Sequence, residues 1–126
     1  MEQIKDASDM KKFDDDDGNR YINRIIKTNL EVFIASFLQD KQMSGYDLIK
    51  EIFLKYNVFL SQGTVYPALY SMAEEGILQA EYSKSDMRSK KYSLTPIGEE
   101  IAQKNIEEFV KAMDHAASLV QKGMRW

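Results

Sequence analysis

From Arg20 onward, apolar residues recur at three- and four-residue intervals: Ile22, Ile25, Ile26, Leu30, Phe33, Ile34, Phe37 and Leu38. That spacing lays a wide stripe along one helix, and Val32 and Ala35 broaden it, so burial on more than one side is expected. The polar stretch Gln39-Asp40-Lys41-Gln42 ends the helix. Ser44 is a good N-cap, with Asp47 in the first turn, for a second helix over about 45–56 whose inner face is Leu48, Ile49, Ile52 and Phe53. Ser61 offers a further N-cap before a third helix, and Gly76 is a natural residue to close it. Pro67 deletes a backbone donor within that helix and predicts a tight or distorted first turn.

Residues 77–83 and 90–94 have strand character, and the polar connection 84–89 makes the pair a hairpin with a loose tip. Thr95 followed by Pro96 is an N-cap with proline at the first helical position, opening a last helix over about 96–122. The expected fold class is mostly α with a small β-hairpin. Three compact helices followed by a two-stranded wing describe a winged helix-turn-helix, here extended by a long C-terminal dimerisation helix.

At 126 residues, 44% hydrophobic and 29% charged, the chain suits one soluble globular domain. No apolar run approaches the roughly 18 residues of a membrane span, and the first residues lack the pattern of a signal peptide. With no cysteine and one histidine, His115, disulfides, cysteine-bearing zinc sites and most nucleophilic dyads are excluded. No catalytic residue, metal or cofactor is expected, and a reducing cytoplasm is the expected compartment.

The net charge of −3 is unevenly spread. Residues 1–18 hold seven acids against three lysines and read as an acidic flexible leader; the remaining 108 hold 13 acids and 14 bases. The expected organisation is thus a leader over 1–18, a DNA-binding domain over 19–95 and a dimerisation helix over 96–126. Within the nearly neutral body, Lys84, Arg88, Lys90 and Lys91 against Asp86 form the densest basic stretch.

Four ordered motifs carry a resemblance: Ser44-Gly45-Tyr46-Asp47-Leu48, Ser61-Gln62-Gly63-Thr64-Val65-Tyr66-Pro67-Ala68-Leu69, Glu75-Gly76-Ile77-Leu78, and Lys90-Lys91-Tyr92-Ser93-Leu94-Thr95-Pro96-Ile97-Gly98. Together they closely resemble the PadR family of transcriptional regulators over about residues 30–100, most specifically in Gly-Thr-Val-Tyr-Pro. The resemblance implies a winged-helix homodimer that represses promoters by binding an inverted repeat, often relieved by a small-molecule effector. The family commonly has histidine where this chain has Ser44, and a second wing aromatic where it has Lys91. A single C-terminal helix is like that of the short-tailed subgroup.

The third helix has no lysine or arginine, so it cannot supply the electrostatic part of DNA binding. Val65, Leu69, Met72 and Ala73 are expected to face inward. Gln62, Thr64, Tyr66 and Tyr70 face outward near its N-terminal end, where hydroxyls donate to phosphates and Gln62 suits an adenine edge. Gly63 allows close backbone approach. Tyr66 and Tyr70 have the alternative of packing on neighbouring elements. The expected contacts to double-stranded DNA are Tyr46, Ser61, Gln62, Gly63, Thr64, Tyr66 and Tyr70, with Lys84, Arg88, Lys90 and Lys91 of the wing on phosphates.

In the last helix Ile97 and Ile101 are expected to cover the core. Beyond them Ile106, Met113 and Val120 repeat every seven residues, with Phe109, Val110, Ala116, Ala117 and Met124 between. This seam suits a coiled-coil-like dimer contact through Ile106, Phe109, Val110, Met113, Ala117 and Val120. A small aromatic or apolar effector would act there. Plasmid partition or replication termination by a winged-helix dimer, and a winged helix used only for protein contact, are the alternatives.

Overall fold

The computed structural model describes residues 17–82 and 90–123. Most of the acidic leader, the wing-tip residues Lys84, Asp86 and Arg88, and the terminal Met124 and Trp126 lie outside these described residues. The order is α1 (Asp17–Thr28), α2 (Leu30–Leu38), β1 (Met43–Ser44), α3 (Gly45–Tyr56), α4 (Gln62–Glu74), β2 (Leu78–Tyr82), β3 (Lys90–Leu94) and α5 (Pro96–Gly123).

The single helix expected from Arg20 to Gln39 is two helices broken at Asn29. Its backbone leaves helical geometry, at φ −118° and ψ 37°, while its side-chain Nδ2 donates to the Ile25 carbonyl at 2.9 Å. A short amide that bonds the local backbone in this way competes with helix propagation. Within α1, Asn19, Asn23 and Ile26 face inward while Ile22 is exposed, against the expected stripe, and Leu30 is buried at the start of α2. Asn19 Nδ2 donates to the carbonyl of Asn57 at 2.6 Å, tying α1 to the left-handed residue that ends α3.

The capping signals act where the sequence places them. Asp47 N–H donates to Ser44 Oγ at 3.0 Å and Ser44 N–H to Asp47 Oδ2 at 3.2 Å, a reciprocal box opening α3. α4 runs through Pro67 without interruption. Its entry is tightened, because the N–H groups of Thr64 and Val65 both reach the Ser61 carbonyl at 3.1 Å. Gly76, at φ +81°, ends α4 in a Schellman arrangement: Ile77 N–H donates to the Met72 carbonyl and Gly76 N–H to that of Ala73.

Thr95 then joins two helix ends. Its Oγ1 donates to the Gly76 carbonyl at 2.6 Å and accepts from Gly98 N–H at 2.9 Å.

The sheet is antiparallel, in the order β1-β3-β2, and β1 was not foreseen. Two residues are too few to show a strand period; β1 exists because Met43 and Ser44 pair with Tyr92 and Lys91. One core joins all elements: Ile34 and Leu38 of α2, Leu48 and Ile52 of α3, Val58 and Leu60 of the turn, Val65, Leu69 and Met72 of α4, Tyr92 and Leu94 of β3, and Ala102 of α5.

The helix α5 enters that core differently from expectation. Gly98 and Ala102 face inward while Ile97 is 60% exposed. Small residues let α5 approach the end of α4 closely, and a Cβ at position 98 would collide with the Ile77 carbonyl.

Candidate nucleic-acid interface

The second of two helices joined by a buried turn, α4, presents a polar N-terminal end. Ser61, Gln62, Gly63 and Pro67 are exposed, and Tyr70 is 55% exposed, while Val65, Leu69 and Met72 fill the core. Pro67 has no N–H, so the carbonyl of Gly63 one turn earlier keeps its acceptor capacity on this outer face. The hydroxyls of Ser61 and Thr64 lie 3.1 Å apart and bond each other, and Ser61 makes no side-chain cap, so its N-cap role is one of backbone geometry alone.

Tyr66 is half-buried, and its ring lies across Gly45 at the start of α3. Beside it, Tyr46 is exposed on the first turn of α3. The Tyr66 and Tyr70 rings are 6.0 Å apart, forming an aromatic ridge along one flank of α4.

The wing meets this ridge through Lys90. Its ammonium sits 5.7 Å from the ring centre of Tyr70, 5.9 Å from Tyr82 and 5.5 Å from Tyr92. Those rings attract a cation through their π faces and fix its direction. Lys90 and Lys91, adjacent in a strand, point to opposite faces. Lys91 lies on the outer face, directly opposite Glu81, and shares a shallow surface groove with Glu81, Tyr82 and Gln42. The two lysines read as a pair in the sequence are therefore not equivalent. Lys84 and Arg88 lie outside the described residues.

Beneath Lys90, Tyr92 is buried, and its hydroxyl has no hydrogen-bond partner among the described residues. Burial pushes this phenol above its ordinary 10.0, against the opposing pull of the Lys90 ammonium.

The far part of α5 leaves the body. Ile106 still packs against the core, and Phe109 meets Phe33 edge-to-face at 5.5 Å. From Val110 to Gly123 every residue is exposed, including Met113, Ala117, Leu119 and Val120. His115 is exposed within this stretch. Among the described residues no helix is long and apolar enough to cross a membrane, and no group of His, Asp or Glu is placed to hold a metal ion.

Helices α2, α3 and α4 with the three-stranded wing define a winged helix. The PadR-like transcriptional regulator family matches residues 34–104, more than half of the chain, and the chain belongs to that family of DNA-binding regulators. Solved structures agree. A PadR family regulator from Clostridium difficile R20291 is 25% identical with a TM-score of 0.63, covering 71% of this chain and 96% of its own. A transcriptional regulator from Thermoplasma acidophilum is 24% identical with a TM-score of 0.66, covering 78% and 96%. The adhesin competence repressor of Streptococcus pyogenes shares the fold at 22% identity and a TM-score of 0.57. The match covers 75% of this chain and 64% of the repressor. No curated protein sequence matches this one.

Proposed function

We propose that this chain is a homodimeric repressor that binds an inverted repeat in double-stranded DNA. The observation carrying this reading is the uncharged, exposed N-terminal face of α4 set beside a lysine that three tyrosine rings hold in place. Gln62 and Thr64 are the base-edge readers. Ser61, Gly63, Tyr46, Tyr66 and Tyr70 position the backbone, and Lys90, Lys91, Lys84 and Arg88 neutralise phosphates. Tyr66 has the smallest share, since much of its ring is committed to Gly45.

Pairing comes from α5. Val110, Met113, Ala117 and Val120 form an apolar face that the chain's own body leaves open. Ile106 and Phe109 stand at its edge, already partly used within the protomer. Two copies joined there set two α4 helices on one side of the duplex, and a dimer seated on a promoter excludes polymerase. A small apolar or aromatic effector entering between Phe109 and Met113 would change the spacing of the two helices without touching DNA.

Selection from random duplexes tests this. The expected product is an inverted repeat with half-site centres about 10 bp, or a multiple, apart. Recovery of unrelated sequences would show that α4 reads no bases. Repeating the selection with aromatic ligands present tests the effector.

A further inference from the structure

The two flanks of α4 have different neighbours. On one, Tyr66 and Tyr70 meet α3 and the wing. On the other, Ala68 lines an open groove of about 370 Å³ with Lys27, Thr28 and Asn29, the end of α1 and its break. The break at Asn29 lies at the edge of this groove.

The exposed side of α1 is cationic. Arg20, Arg24 and Lys27 recur there at helical spacing, interrupted by no acid. The two guanidiniums lie 5.6 and 5.8 Å from the ring centre of Tyr21 between them, and none of the three cations has a carboxylate partner among the described residues. All of α1 lies outside the residues that match the family.

A helix about 10–12 Å across fills the roughly 12 Å major groove, so a phosphate strand runs along each of its flanks. Lys90 stands on one flank. We propose that Lys27, with Arg24 one turn behind it, forms a second phosphate-contact surface on the opposite flank, so that double-stranded DNA is gripped on both sides of α4. This rests on the DNA-binding reading above. Arg20 lies two turns from Lys27, about 10 Å along the axis and about one screening length away, and is not part of the contact. Glu31 is the acid lining the groove and opposes it.

The test is the salt dependence of the full chain's affinity for a mixed-sequence duplex of about 30 bp. Loss of one phosphate contact lowers the slope of log K against log salt by roughly 0.9. Lys27→Gln is expected to do so, Lys27→Arg to keep the slope, Arg20→Gln to leave it unchanged, and Glu31→Gln to tighten binding. Retention by Lys27→Arg separates the charge effect from damage to the fold. An unchanged slope in Lys27→Gln, while Lys90→Gln lowers it, overturns the α1 surface and leaves the winged-helix reading standing. Equal losses in Lys27→Gln and Arg20→Gln overturn it as well, since diffuse charge rather than contact would then explain both. A wild-type chain that binds no duplex overturns both proposals.

Discussion

Tyr66 occupies the space that a side chain at position 45 would need: a Cβ built on Gly45 would lie 2.6 Å from Tyr66 Cζ and 2.8 Å from Cε1 and Oη. The glycine that opens α3 and the tyrosine in the N-terminal half of α4 are thus one packing unit. This contact sets how closely the two helices of the helix-turn-helix approach.

Gly45→Ala should therefore push Tyr66 out of its seat. Over-packing of this kind costs about 1–3 kcal/mol, against a helix-propensity gain of up to about 1 kcal/mol. Urea unfolding should show net destabilisation. Gly45→Ala combined with Tyr66→Ala should be less destabilised than the two separate losses added together, because the clash has gone.

Two other glycines separate strain from space. Gly76→Ala meets no atom within 4 Å, so it should lose only the left-handed backbone term, about 1–2 kcal/mol. Gly98→Ala sits in a helix, where alanine is normally favoured, yet it drives a methyl into the Ile77 carbonyl. Backbone yields less readily than a side chain, so a loss of about 3 kcal/mol or more is expected. Thermal or urea melts should rank Gly98→Ala well below Gly76→Ala; the reverse order would contradict the packing described.

The buried phenol of Tyr92 gives a pH signature. Its folded pKa is raised from 10.0 by burial, so its contribution to stability is fully present below pH 10 and is lost as pH rises through the folded value. Removing a buried hydroxyl that has no hydrogen-bond partner among the described residues, while keeping the ring, costs little. Tyr92→Phe should match or exceed wild-type stability at pH 7 and lose less between pH 9 and about 11. A large loss at pH 7 would mean that the hydroxyl has a partner.

The two wing lysines should separate in binding. Lys90, held over Tyr70 on the α4-facing side of the sheet, is expected to carry a full phosphate contact, and Lys90→Ala should lower the salt slope by roughly 0.9. Lys91 faces Glu81 on the other side, so Lys91→Ala should change the slope less. Anisotropy titrations across a salt series decide between them.

Much of this arrangement is legible along the chain because it depends on local chemistry. Ser44 with Asp47, Gly76, and Thr95 with Pro96 mark the ends of α3, α4 and α5, where one or two side chains satisfy orphan backbone groups. Tyr70, Lys90 and Lys91 are recognisable as residue types suited to an interface.

What the sequence does not display depends on partners distant in the chain. Asn29 breaks the first helix through one local amide, although the apolar period runs on past it. Met43 and Ser44 become a strand only because β3 lies beside them. Ile97 is exposed because Gly98 and Ala102 give the closer approach. Lys90 and Lys91 differ because one strand face meets α4 and the other does not. The place of Lys27 beside Ala68, in the groove that the Asn29 break edges, could not be read from the apolar period.

The most direct test of a dimer reading DNA through paired α4 helices is one anisotropy comparison at physiological salt. The selected inverted repeat is titrated beside the same duplex with about 5 bp, half a helical turn, inserted between the half-sites. The insertion turns the second half-site to the far side of the duplex while leaving every base contact within each half-site intact. Affinity for the altered duplex is expected to fall by at least tenfold, toward that for shuffled DNA. Equal affinity for the two duplexes would contradict the account.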